Sequence, residues 1–394
     1  MKNLFFALIL AIFSTLATAQ NDTSTTYLKS LEQRLSDLER QQREYELWYN
    51  EYYVLSKNRM TPFLGEKISF GGFFETNISH MGGPDTQSQT SANSNALGLN
   101  IAAEFNDQFR LVTQQLTVLN YPLQNPHNNP ALTQPQRQFG NYFFGSYVAH
   151  AYLEYQRSET FILQTGLGYV PFGAAFQQRE PFLSKNRQGH LMVHASDTSY
   201  VRIAFPLWMG VHASGAFELQ NSRVGYNVYT FSPPTNTKTL GAGSRIWWSN
   251  SHNLTLGTSI QTGEQATNYY YSYGFDVTYK YMNYEFVTEY ARNVGSGGVP
   301  SIESYYFEPS VAFADGEWVL YAIFDYLKNP LHIDGVTADG FEKSATGAGV
   351  NWLPIPNVRF RFGGARHDYL GETAIVSGQN RDYFLVDLSA GIAF

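Results

Sequence analysis

The residues best placed to act on a solute are charged side chains set among apolar ones at a spacing of two. Glu75, Glu104, Glu154, Glu218, Arg223, Asp276, Lys280, Glu285, Glu289, Arg359, Arg361 and His367 lie in stretches where apolar residues alternate with small or polar ones. In an extended chain, successive side chains point to opposite faces, so these charges fall on the face opposite the apolar one. If the apolar face meets lipid, an Arg or Lys placed on it near mid-bilayer would cost about 2–4 kcal/mol. The charges must then line a watery interior or sit at the membrane edge. Such a lining selects solutes by charge; the same residues can instead pair across strands and stiffen the wall. Arg359 and Arg361 are two apart and form a small basic ladder, the pair most suited to solute contact. Signs are mixed along the lining, which leaves anion or cation preference open.

Other chemistry is sparse. The 9 histidines are scattered. Only His190 and His194 are close, and a loop pair reads as two solvated side chains rather than a metal site. Ser79 next to His80, and Ser196 with Asp197 near His194, lack the nucleophile, base and orienting acid of a hydrolase. There is no phosphate loop and no dinucleotide glycine fingerprint. The expectation is a protein that is not an enzyme and needs no metal or cofactor. A formal charge of -7 gives no basic face for nucleic acid.

The elements that position these residues are strands. Residues 384–394 read F-L-V-D-L-S-A-G-I-A-F; Phe384, Val386, Leu388, Ala390, Ile392 and Phe394 share one face, opposite Asp387, Ser389 and Gly391. An alternating strand closing on Phe394 resembles the assembly signal of outer-membrane barrels. Ile68, Phe70, Phe74 and Ile78 repeat the pattern, as do Leu97, Leu99, Ile101, Ala103 and Phe105. So do the segments 161–169, 254–262, 271–279, 318–326 and 358–364, each about the length of a tilted membrane strand. The 28 Tyr and 29 Phe are interleaved with Gly, Ser, Asn and Thr, and mean hydropathy is slightly negative. That mixture suits a barrel with aromatic girdles and a polar lumen.

Short turns fit near 106–108, 156–160, 219–222, 249–252, 280–283, 314–316 and 354–357. Longer polar segments fit near 81–94, 119–143, 170–209, 231–238, 264–269, 293–301, 328–342 and 370–383. Seven turns and eight loops predict an all-β transmembrane antiparallel barrel of 16 strands over residues 63–394. If 200–205 is also a strand, with 206–209 as its turn, the number becomes 18. The 170–209 connection carries Arg179, Lys185, Arg187, His190 and His194 among aromatics, which suits an ordered segment rather than a disordered one. It is expected to fold into the mouth and narrow the pore, or else to pack on neighbouring loops as a lid.

Ahead of the barrel, residues 1–19 have the basic start, apolar run and small-x-small ending of a signal peptide. No later stretch has 18 consecutive apolar residues, and Cys is absent. Residues 20–62 give a polar lead and then Leu28, Leu31, Leu35, Leu38, Gln42 and Tyr45 at alternating spacings of three and four. This heptad pattern predicts a periplasmic coiled-coil helix that joins copies of the chain, most naturally as a trimer, with Gln42 setting register. The other reading is a lone amphipathic helix packed under or inside the barrel.

This order of parts, with I-S-F-G-G-F-F-E-T-N at 68–77 and G-L-G-Y-V-P-F-G at 166–173, resembles the LbtU-type siderophore porin family. The resemblance implies an outer-membrane location with the helix in the periplasm, and uptake of a ferric siderophore for iron acquisition without a plug domain. A general, sugar or anion diffusion porin is the plainer alternative. A structural barrel that anchors a coiled coil is the alternative of another class. Outer-membrane lipid and a small solute are the expected partners.

Overall fold

The computed structural model describes residues 61–63, 68–83, 86–122, 143–175, 185, 190–191, 207–231, 241–250, 253–265, 268–295, 301–329, 332–333, 336–337, 341–355, 357–370 and 382–394. The chain divides into two units, Met1–Asn58 and Arg59–Phe394. The expected signal peptide and the heptad seam lie in the first unit, outside the described residues.

The second unit is a closed antiparallel barrel. Its strands are β1 (Ile68–Gly83), β2 (Thr86–Glu104), β3 (Phe109–Pro122), β4 (Phe143–Ser158), β5 (Phe161–Tyr169), β6 (Leu207–Leu219), β7 (Ser222–Phe231) and β8 (Gly241–Asn250). They continue as β9 (Leu254–Gln265), β10 (Asn268–Tyr281), β11 (Tyr284–Gly295), β12 (Ile302–Phe313), β13 (Trp318–Asn329), β14 (Phe341–Ile355), β15 (Val358–Leu370) and β16 (Tyr383–Ala393). Each strand pairs with its neighbours in sequence, and β16 pairs back onto β1 with Leu388 opposite Ile78. The described residues therefore form a 16-strand cylinder with no free edge. Thr61–Phe63 adds a short rung beside β1. A two-stranded ribbon, His332–Ile333 with Val336–Thr337, stands in the connection after β13.

The alternation read from the sequence is the division between inside and outside. On β16, Phe384, Val386, Leu388, Ile392 and Phe394 are exposed outward, while Asp387 and Ser389 are buried inward. On β1, Phe70, Phe74 and Ile78 point out and Glu75, Asn77 and Ser79 point in. Large apolar side chains on the outer wall need apolar surroundings, since exposing them to water costs roughly 25 cal/mol per Å². Stacked rings mark two levels of that wall. Tyr305 with Tyr326 lies toward the long-connection end, and Phe313, Trp318, Trp352 and Phe360 stack in succession at the short-turn end.

Among the described residues, the short connections fall where the turn chemistry places them. Asn106 Oδ1 accepts from the N–H groups of Gln108 and Phe109, both at 2.9 Å. Asn253, Met282, Ala314 and Asp315 take positive φ in the tight turns. Three expectations need correction. The 81–94 segment is mostly ladder: Ser79 pairs with Ser91 and Gly83 with Thr86, so β1 and β2 continue their pairing through it. The 264–269 segment is a tight hairpin with Gln265 opposite Asn268. Residues 207–209 are not a turn; β6 starts at Leu207 and pairs with Tyr169. Strand lengths vary from 9 residues in β5 to 19 in β2.

Candidate functional site

The inner wall is polar, and its groups are tied together along the hydrogen-bonding direction. Strand register places Arg110, Glu154, Gln164, His212 and Tyr229 in one row from β3 to β7. Arg110 Nε donates to Glu154 Oε1 at 2.6 Å, and Gln164 Nε2 donates to Glu154 Oε2 at 2.8 Å. The His212 ring bridges Gln164 at 2.7 Å and Asn227 at 3.1 Å. Because tilted strands stagger the register, this row climbs from beside the short turn at Arg110 to near the long-connection end of β7. A second part of the wall joins Arg361 on β15 to Glu75 on β1 and, at 3.0 Å, to Ser389 on β16. Arg245 on β8 holds Asp276 on β10 through both guanidinium nitrogens.

The connection after β5 enters the barrel. Val170, Phe172, Ala174, Ala175 and Leu191 join Trp208, Tyr229, Phe231, Ile302 and Tyr306 in one apolar cluster on the inner side of the wall. Burying Phe172 alone contributes about 2–3 kcal/mol. Polar contacts fix the segment at three places. The Gly173 N–H donates to Ser259 Oγ at 3.0 Å, and the N–H groups of Ala174 and Ala175 donate to Glu289 Oε2 at 2.8 Å each. Gly173 has a φ of 60°, the left-handed region that favours glycine, and a Cβ there would overlap the Glu289 carboxylate. Lys185 forms an ion pair with Glu285 and lies 3.5 Å from Glu308. His190 sits between Glu308 and Asp325, and the Leu191 N–H donates to Asp325 Oδ2 at 2.7 Å. The segment therefore rests on the inner faces of β9 to β13.

No protein-family model matches the sequence, and no curated protein matches it. Solved structures do. The chain is similar to OmpF of Salmonella typhi in complex with daunomycin, with a TM-score of 0.56 and 10% identity over 84% of this chain and 100% of that one. It is similar to the anion-selective porin from Comamonas acidovorans, with a TM-score of 0.53 and 10% identity over 83% and 99%. It is also similar to the outer membrane channel DcaP of Acinetobacter baumannii, with a TM-score of 0.51 and 10% identity over 83% and 97%. The fold is that of the outer-membrane porins.

Within this barrel, Glu75, Glu154, Asp276, Glu289, Arg359, Arg361 and His367 are buried on the inner side. Lys280 and Glu285 lie inward toward the short-turn end, 3.6 Å apart. Glu104 and Arg223 take the other expected place, at strand ends beside short turns. Glu104 is exposed there, and Arg223 pairs at 2.9 Å with Glu218. Of the residues expected at a constriction, Lys185 and His190 face the β11–β13 wall; Arg179, Arg187 and His194 are outside the described residues. Ser79 faces in and His80 faces out, so they do not share a site. Among the described residues, no cluster of His, Asp or Glu has the makings of a metal site.

Sequence reasoning missed several participants: Arg110, Gln164, His212, Arg245, Tyr306, Glu308 and Asp325. The signal was present for Glu308 and Asp325. Tyr305, Phe307 and Phe324 alternate with them as outward aromatics, which puts the intervening carboxylates inside.

Proposed function

We propose that the protein is an outer-membrane channel through which small hydrophilic solutes diffuse. The observation that carries this reading is the division of the closed wall into an apolar outside and a polar, ion-paired inside, with a segment folded onto the inner face. Such a wall separates lipid from a watery path, and an inner segment narrows that path. Because Arg361, Arg245 and Arg110 each have a carboxylate partner, the lining is largely self-neutralised, and weak rather than strong charge selectivity is expected. The reading is tested by reconstituting purified protein in planar bilayers. Stepwise ion currents support it; a silent bilayer with correctly folded protein favours a barrel that anchors its N-terminal region.

The finer version is uptake of a ferric siderophore. Its support is the sequence resemblance at 68–77 and at 166–173, the second of which forms the root of the inner segment. It predicts that a ferric siderophore blocks the single-channel current reversibly and that loss of the gene slows growth under iron restriction. Currents unaffected by every siderophore tried, with unchanged growth, leave the general channel. Assembly as a trimer through the heptad helix belongs to the same proposal; cross-linked species that vanish when residues 27–60 are deleted would support it.

A further inference from the structure

We propose that the seat of His190 and Leu191 on the inner wall is a pH-operated latch, closed while His190 carries its extra proton and released when it loses it. The physiological meaning of the latch rests on the channel reading; its chemistry rests on the inner segment alone.

The His190 imidazole lies flat on Tyr306, with ring centroids 3.6 Å apart and planes 16° apart. One ring nitrogen, Nε2, is 3.5 Å from Glu308 Oε2; the other, Nδ1, is 3.4 Å from Asp325 Oδ2. The side chains of His190, Glu308 and Asp325 are only 4%, 1% and 2% exposed. The two ion-pair distances are longer than good hydrogen bonds. Lys185 Nζ is 3.5 Å from Glu308 as well. The hold on Glu308 is therefore charge against charge, shared between the Lys185 ammonium and the ring, and the ring's share exists only when it is an imidazolium.

The surrounding groups sharpen that dependence. Glu285 is met by Lys185 and by Lys280, from β10, at 3.6 Å. Glu289 on β11 also acts on His190, and the charge of Asp325 reaches Lys343 on β14. With His190 protonated, Glu285, Glu308 and Asp325 face Lys185, Lys280 and the imidazolium. Without that proton, Glu308 and Asp325 confront a neutral ring inside a nearly dry cluster, where an unbalanced charge is costly.

Burial works against the imidazolium, but contact with Asp325 and the charge of Glu308 outweigh it and raise the His190 pKa above 6.5. A raised value means that protonation strengthens the seated state. The hold is complete below pH 6.5 and is lost as the pH climbs through the raised value. Leu191 shares the latch because its N–H donates to Asp325 and its side chain packs in the apolar cluster that includes Leu327 and Ala345. Release of His190 uncovers that surface to the lumen.

The chain has no cysteine, so one introduced thiol reports on one site. Leu191→Cys places it under the latch, and Glu317→Cys, in an exposed short turn, reports thiol ionisation alone. Both are labelled with a water-soluble methanethiosulfonate in full-length protein, and the ratio of rates is followed from pH 6 to 10. Above the His190 pKa the ratio should rise by about tenfold per pH unit, the limit for one linked proton. In a His190→Gln background it should be high and flat. In a His190→Arg background, where the charge is permanent, it should stay low. A flat ratio in the parent, or a His190→Gln profile that matches the parent, overturns the latch. Bilayer recordings separate the two readings. Labelling that follows pH without any current removes the channel and keeps the latch; currents with pH-independent labelling do the reverse.

Discussion

Replacing Gly173 with Ala tests whether the inner segment is held by the contacts described. A Cβ-bearing residue at a φ of 60° is disfavoured by about 1–2 kcal/mol. The new methyl group also overlaps the Glu289 carboxylate, which must swing away. The N–H groups of Ala174 and Ala175 then lose two hydrogen bonds to the carboxyl oxygen, each worth about 0.5–1.5 kcal/mol. Together with the backbone cost, the net is on the order of 2–4 kcal/mol against the seated state. A change of about 5.5 kcal/mol carries a two-state balance from 1:99 to 99:1. Gly173→Ala should therefore unseat the 170–175 stretch in a large fraction of molecules while leaving the strand ladder intact. The assay pairs single-channel recording with heat-modifiability on gels. The expected result is larger or noisier conductance with an unchanged barrel melting temperature. Glu289→Gln, which keeps an acceptor oxygen of the same reach, should have a smaller effect in the same direction. The reasoning fails if Gly173→Ala gives currents indistinguishable from the parent, or if the barrel itself melts early.

Three further outcomes are expected. Changing Arg359 and Arg361 together to Ser should move reversal potentials toward cation selectivity; Arg361→Ser alone should also destabilise the barrel by about 1–3 kcal/mol, because Glu75 loses its guanidinium partner. Ile260→Arg, on the outer face of β9, should cost about 2–4 kcal/mol in lipid, whereas Ile260→Leu at the same place should fold nearly as well as the parent; denaturant titration in liposomes compares them. Phe394→Ser should slow barrel assembly in cells, measured as accumulation of the unfolded band, because the Phe394 ring lies over Gly72 and its backbone exchanges hydrogen bonds with that residue at 2.8 and 2.9 Å.

What was legible in the sequence was whatever depends on neighbours along the chain. A strand of period two announces both its faces, so Glu75 and Asp387 could be placed inside without knowing what they meet. Turn chemistry is equally local: Asn106 and the Ala314-Asp315-Gly316 run mark connections by their own side chains or backbone freedom. The polar composition of residues 86–95 misled for a related reason. Once a strand leaves the bilayer its outer face need not be apolar, and the ladder persists without the pattern that would reveal it. Pairings made by closure of the barrel were out of reach. Arg361 and Glu75 are 286 positions apart, and nothing local couples them. The same holds for the inner segment: Lys185 and His190 stood out as charges in a long connection, but their partners on β11, β12 and β13 are fixed by where that connection lands, 100 or more residues away for Lys185.

The described part of the inner segment makes its polar contacts with β9, β11, β12 and β13. Residues on β9 to β13 must stay complementary to it, so a change at Glu289 or Asp325 needs a matching change in the segment. Its apolar contacts reach further: the cluster it joins also takes in Tyr152 on β4, Trp208 on β6 and Ala345 on β14. Such a fastening resists piecemeal change, since a substitution in the segment must suit several strands at once.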